Sequence, residues 1–407
     1  YGYARLMEIL VPSPDRIQAP CPVARQCGGC QIQQMSYERQ LTFKENKVCN
    51  NLRRLGGLDL SAMEVEPICG MEEPFHYRNK AQFPVREDEN GIPQTGFFAG
   101  RSHRLIPASS CAIQHPVINE VVETVMDFLR AYGISAYREE SHKGLVRHIY
   151  VRRGYHTGQI MVCLVINGNE LPHAAEFITR LRTIEGMTSI CLNLNTKKTN
   201  VILGPSTKLL WGSPAIEDKI GGIRYQISPQ SFYQVNPVQT EKLYQTALDF
   251  ADLQGNERVW DLYCGIGTIG LTAADHAKQV VGVELNRDAV RDAIGNARHN
   301  DVKNARFFAA DATQWITEAA AAGQRADVIF MDPPREGSTP QFIESVARMA
   351  PKRVVYVSCN SETMARDLAL LTAKGYRAEG FTPVDLFPQT AHCEVVGALT
   401  RSQKSKG

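Results

Sequence analysis

An α/β fold with a doubly wound, mainly parallel sheet in its C-terminal half follows from three features of this sequence. Short apolar runs alternate with helical segments from about residue 224 onward, a glycine-rich loop joins one run to a helix, and Asp, Cys and Glu residues gather just past the ends of others. The length of 407 residues allows two to three domains, and 43% hydrophobic residues suffice for large cores, which excludes a disordered tail protein or a stapled miniprotein. Lys and Arg number 45 against 43 Asp and Glu, a net charge of +2, so a polyanionic partner must meet a local patch and not a global field.

In chain order, Ala4 to Leu10 reads as a strand that enters a break at Pro12, Pro14 and Pro20, the expected remnant of a small domain over residues 1–20. Because the chain opens at Tyr1 and not at Met, it is expected to start inside a longer product. Residues 21–223 read as a mixed α+β central domain, in which Ile149 to Arg153 alternates and Gln159 to Ile166 has the apolar density of a buried strand. After the turn-rich Gly204 to Pro214, residues 224–407 open with a helix near Val238 to Ala251. Strands follow at Arg258 to Leu262, Gln279 to Val283, Arg306 to Ala309, Asp327 to Met331 and Arg353 to Val357. The longest apolar run, Ile160 to Ile166, falls far short of the about 18 residues of a membrane helix, and no charged-then-apolar leader is visible. A soluble, cytoplasmic, monomeric protein with no membrane contact is expected.

Asp261 to Gly270 follows a strand and opens a helix, so its glycines allow a tight turn and close backbone approach to a ligand. Glu284, ending the next strand, is suited to accept both hydroxyls of a ribose. The glycine spacing lacks a pyrophosphate cradle, which disfavours a dinucleotide; the arrangement resembles the first motifs of S-adenosylmethionine-dependent methyltransferases, in which Asp311 would stand on the adenine side. Three further strand ends carry Asp332, in Asp-Pro-Pro-Arg, Cys359, in Val-Ser-Cys-Asn, and Glu394, in His-Cys-Glu. Asp332 precedes two prolines and is held extended, suited to presenting a carboxylate to a planar base. Cys359 alone reads equally as a packed core thiol, and Glu394 alone as a solvated acid. Together they meet a particular demand. Carbon 5 of a pyrimidine is a poor nucleophile until a thiolate adds to carbon 6, and a base must then remove the carbon 5 proton.

Ser-Phe-Tyr-Gln234-Val-Asn, Asp-Leu-Tyr263-Cys-Gly-Ile-Gly, Val-Gly-Val-Glu284, Met-Asp332-Pro-Pro-Arg, Val-Ser-Cys359-Asn and His-Cys-Glu394 occur in this order. Together they resemble the RNA uracil-5-methyltransferases over roughly the whole chain, most specifically in the C-terminal half. The resemblance implies a Rossmann-like class I methyltransferase domain, preceded by the central RNA-binding domain and the end of an OB-like (TRAM) barrel. It implies that Gln234, Tyr263, Gly265, Thr268, Glu284, Asp311 and Asp332 line the pocket for cofactor and target base, with Cys359 the nucleophile and Glu394 the base. Two positions depart from it: Thr268 stands where some members carry Asn, which weakens one cofactor contact, and Ser361 stands where Pro is usual.

Cys21-x5-Cys27-x2-Cys30, with Cys111, supplies four thiolates beside prolines and glycines that permit tight wrapping. By spacing alone a [4Fe–4S] cluster, zinc and a structural role all remain open. Ribosomal members of the family carry such a cluster after a small RNA-binding barrel, and transfer-RNA members typically lack both, so the resemblance points to a uridine in 23S ribosomal RNA, with a transfer RNA as the alternative. Cys49, Cys69, Cys163 and Cys191 are read as core thiols. For RNA contact, Arg138 to Arg153 offers Arg138, Lys143, Arg147, Arg152 and Arg153, with His148, Tyr150 and Tyr155 for stacking, and equally suits a solvated strand face. His76 to Lys80 and Arg101 to Arg104 are further candidates. The rival readings are an amino-group methyltransferase, which would have no use for Cys359, and an iron–sulfur RNA-binding module without turnover.

Overall fold

The computed structural model describes residues 6–402. Leu6 to Leu10 form no strand. Ala4 and Arg5 lie outside the described residues. Leu6, Met7 and Leu10 are more than 70% exposed, so the expected strand lacks a neighbour to satisfy its backbone or cover its side chains.

Helix α1 (Tyr37–Arg54) and the short β1 (Glu64–Val65) come first. A seven-stranded sheet follows, built from β2 (Lys80–Glu87), β3 (Pro93–Phe98), β4 (Leu105–Pro107), β5 (Val146–Arg153), β6 (Ile160–Ile166), β7 (Met187–Leu194) and β8 (Ser206–Gly212), in the order β4-β3-β2-β5-β6-β7-β8. Helices α2 (Pro116–Ala131) and α3 (Ala174–Leu181) cover one face. Every residue of β6 is buried because both of its faces are covered. Ile160, Val162, Leu164 and Ile166 pack under those helices, while Met161 and Cys163 pack toward the C-terminal half.

The hairpin β9 (Ile216–Ile220) and β10 (Ile223–Ile227) turns through Gly221 and Gly222, both at positive φ as a tight two-residue connection requires. Helix α4 (Pro237–Ala251) starts with Pro in its first turn and with the Asn236 side chain accepting from Gln239 N. The chain then alternates: β11 (Arg258–Leu262), α5 (Thr268–Ala273), β12 (Gln279–Glu284), α6 (Arg287–His299), β13 (Ala305–Ala309), α7 (Ala312–Ala321), β14 (Val328–Met331), α8 (Pro340–Met349), β15 (Arg353–Ser358), α9 (Ser361–Ala373), β16 (Tyr376–Val384) and β17 (Glu394–Arg401). The strand order of this second sheet is β1-β16-β17-β15-β14-β11-β12-β13, and only β17 runs antiparallel to its neighbours.

The packing does not follow the boundary drawn at 223/224. That point falls inside the β9–β10 hairpin, and β1 and α1, assigned from sequence to the central domain, add to the C-terminal half. Strand β1 pairs with β16, and Lys44 of α1 forms a fully buried ion pair with Asp385, which also accepts from the Tyr37 hydroxyl. Among the described residues no helix is long and apolar enough to cross a membrane.

Candidate active site

The C-terminal edge of the second sheet collects the predicted residues, because each parallel strand delivers the residue that follows it to the same rim. After β11, Tyr263, Gly265 and Gly267 take positive φ, and a Cβ on Gly265 would meet nothing within 4 Å. Gly265 N donates to one carboxylate oxygen of Glu284 (3.1 Å) and Asn286 N to the other (2.8 Å), so the acid ending β12 is fastened to the glycine loop and keeps lone pairs for a ribose. An open glycine loop with an aligned carboxylate is a donor set that fits the adenosyl and ribose parts of S-adenosylmethionine.

Two predicted cofactor residues carry structural duties. The Asp311 side chain caps α7 by accepting from Gln314 N, and the Thr268 hydroxyl bonds that of Tyr244 at 3.0 Å. Gln234 is half-buried, its backbone carbonyl accepting from Asn79. The sequence reading gave no role to Asp261, buried on β11, whose carboxylate accepts from Gly270 N and whose carboxyl burial pushes up to about 7.

Asp332 follows β14, Cys359 follows β15, and Glu394 begins β17, which pairs antiparallel with β15 and so starts at the edge where β15 ends. These three strands are neighbours. Burial pushes the Asp332 carboxyl up to about 7, and burial with the nearby Asp332 pushes Glu394 up to about 8, partly offset by Arg335. The Cys359 thiol is also raised, first by burial and then by Glu394 and Asp332, while the Arg335 guanidinium lowers it. Arg335, Lys47 and His392 share a cleft of about 180 Å³ with Cys359. None of the three was assigned a role from sequence, although Arg335 completes Asp-Pro-Pro-Arg.

Cys21, Cys27, Cys30 and Cys111 line one cavity of about 350 Å³ with Arg78 and Lys80, and no carboxylate lines it. Burial raises the thiols of Cys27, Cys30 and Cys111, and neighbouring sulfurs of the set add to it. Among the described residues no group of three or more His, Cys, Asp or Glu side chains is arranged to hold a metal ion. Cys163 and Cys191 face each other in the core, and Cys49 and Cys69 pack at its margin.

The stretch Arg138 to Arg153 is not an open basic surface. Strand β5 lies inside its sheet, so Arg147 and Arg152 are buried and spend their guanidinium groups on backbone carbonyls: Asn195, Lys197 and Thr199 for the first, Ser228 and Ser231 for the second. Arg138 pairs with Glu87, and Tyr150 is fully buried. Lys80 is also withdrawn from solvent, its amine pushed down to about 7 by burial and by Arg152 and Arg78. Arg101 and Arg104 are exposed.

A doubly wound sheet with a glycine loop after its central strand and an acid ending the next one defines a class I methyltransferase. The chain belongs to the tRNA (Uracil-5-)-methyltransferase family, whose profile matches residues 36–402. It is 48% identical over 400 residues to an uncharacterized RNA methyltransferase of Halalkalibacterium halodurans, covering 98% of this chain and 87% of that protein. A second RNA methyltransferase, from Clostridium tetani, is 45% identical over 401 residues, 98% of this chain and 86% of the relative. The crystal structure of Pyrococcus abyssi tRNA (uracil-54, C5)-methyltransferase in complex with S-adenosyl-L-homocysteine superposes with a TM-score of 0.79 at 27% identity, over 97% of this chain and 88% of that one. The protein is accordingly an RNA methyltransferase of the uracil-5 family.

Proposed function

We propose that this enzyme transfers a methyl group from S-adenosylmethionine to carbon 5 of a uridine in 23S ribosomal RNA through a covalent bond between Cys359 and carbon 6. The observation that carries the reading is the meeting of Cys359, Asp332 and Glu394 at one edge of three adjacent strands. The Cys359 thiol gives up its proton to solvent and its sulfur bonds carbon 6, moving the ring's double-bond electrons toward the carbonyl at carbon 4. Carbon 5, now electron-rich, takes the methyl group that S-adenosylmethionine supplies. The Glu394 carboxylate then accepts the carbon 5 proton, and the electrons left behind restore the double bond and expel the thiolate. Protonated carboxyls on Glu394 and Asp332 relieve the repulsion a thiolate meets there. Methyl transfer then neutralises the enolate, and Glu394, its own proton lost to solvent, acts as base. Gly265, Glu284, Tyr263, Thr268, Gln234 and Asp311 hold the methyl donor, and Asp332 faces the target base. Because carbon 5 is unreachable in a stacked helix, the uridine is flipped out or taken from a loop.

The four cysteines are assigned to a [4Fe–4S] cluster. Soft thiols in a cavity with two cations and no acid suit a dianionic group. A transfer-RNA target is the second reading, favoured by the likeness to the Pyrococcus abyssi enzyme. Mapping the labelled nucleotide after incubation with ribosomal and transfer RNA decides between them. Glu394→Gln should accumulate a denaturant-resistant protein–RNA species, and Cys359→Ala should abolish both it and methylation while S-adenosylmethionine still binds. Full activity of Cys359→Ala would end the mechanism.

A further inference from the structure

The site is graded from inside to outside. Glu394 is buried, Cys359 and Asp332 are half-buried, and Cys359 opens onto a cleft lined by the exposed Lys47, Arg335 and His392 together with one exposed carboxylate, Glu362. A uridine has a matching order, for carbon 6 lies between carbon 5 and the nitrogen that carries the ribose. With carbon 6 at the Cys359 sulfur and carbon 5 toward the buried Glu394 carboxyl, the sugar and its phosphates must leave on the open side.

We propose that Arg335 and Lys47, with the His392 imidazole, form a clamp on the phosphate backbone of the target nucleotide, beside the cysteine that attacks its base. Among the described residues neither Arg335 nor Lys47 stands in an ion pair, unlike Arg147 and Arg152 of β5, which are committed to carbonyls, and Arg138, which pairs with Glu87. The backbone of Arg335 is held by two side-chain donors. Its carbonyl accepts from Asn360 Nδ2 and from Thr363 Oγ1, both at 3.1 Å, so the residue after Cys359 fixes the base of the guanidinium arm. Arg366 donates to the carbonyls of Glu336 and Ser338, and the Asp367 carboxylate accepts from Ser338 N, tying the rest of that loop to α9. Lys47 arrives from α1, whose buried neighbours Lys44 and Val48 anchor it against the C-terminal half. A long flexible cation on a rigid backbone suits an anion whose position is set by the base beneath it.

This clamp rests on the reading of Cys359 as nucleophile. The test uses an RNA transcript that the wild-type protein methylates, with binding measured by anisotropy over a salt series from about 50 to about 200 mM. Arg335→Gln and Lys47→Gln should each weaken RNA binding about tenfold and lower the salt slope by about 0.7, the share of one phosphate contact on a single strand, with S-adenosylmethionine affinity unchanged. Arg335→Lys should keep the slope. Wild-type RNA affinity and slope in both Gln variants would overturn the clamp while leaving the chemistry intact. A shifted pH profile of adduct formation with unaltered RNA binding would also overturn it, assigning Arg335 to the thiol instead. Absence of any Cys359 adduct in the Glu394→Gln protein would remove the reading of the site, and the clamp with it.

Discussion

Glu394 shows how one side chain joins chemistry to stability. A base works best with a pKa near the operating pH, and burial beside Asp332 lifts this carboxyl to about 8. Turnover should therefore climb with pH up to about 8 as Glu394 ionises; a rate flat from about pH 6 to about pH 9 would exclude it as the base. The same shift bears on folding. The folded carboxyl binds its proton more tightly than the unfolded one, so its contribution is fully present below the ordinary value of 4.5 and is lost as pH rises toward about 8. Glu394→Gln, which stays neutral, should raise the melting temperature relative to wild type at about pH 9 and leave it little changed at about pH 4. The identities of Cys359, Asp332 and Glu394 were legible from motifs at strand ends. Arg335, Lys47 and His392 were not, because an exposed cation carries no spacing signature and only the folded cleft brings α1 to Cys359.

At the scale of elements, the glycine loop depends on how β12 and β13 pair. Gly282 lies opposite Phe307, and a Cβ there would meet the Phe307 ring at 2.3 Å and Cys264 Sγ at 3.0 Å. Gly282→Ala should cost about 1–3 kcal/mol by overpacking and should weaken S-adenosylmethionine binding, since the displaced Cys264 sits in the cofactor loop. Denaturant unfolding and calorimetry measure the two effects; an alanine variant with wild-type stability and affinity would show that the loop is set elsewhere. Strand and helix positions of the C-terminal half were readable because alternating apolar runs and helical segments have distinct periods. Strand β5 was misread as a possible RNA surface because its cations look the same in sequence whether solvated or buried. Carbonyl acceptors more than 40 residues away decide the matter.

The whole molecule brings the cysteine cavity close to the reaction site through one connection. Gln31 and Ile32 donate backbone N–H groups to Gln389 O, Ala391 N donates to the Gln31 side chain, and Thr390 lines the cavity, all on the segment that leads into Glu394. Anaerobic preparations should carry about four iron atoms per chain with visible thiolate-to-iron absorbance, and Cys30→Ser should lose most of it; iron-free protein, or stoichiometric zinc, would reject the cluster. The sequence by itself determined the class I methyltransferase fold, the uracil-5 family and the residues at the strand ends, because motif chemistry and hydrophobic period are local properties that survive in one dimension. Tertiary structure alone decided that α1 and β1 belong with the C-terminal sheet, that Arg147 and Arg152 are structural, and that free cations rim the cleft at Cys359. Burial and charge pairing are set by residues hundreds of positions apart, and no local pattern encodes them.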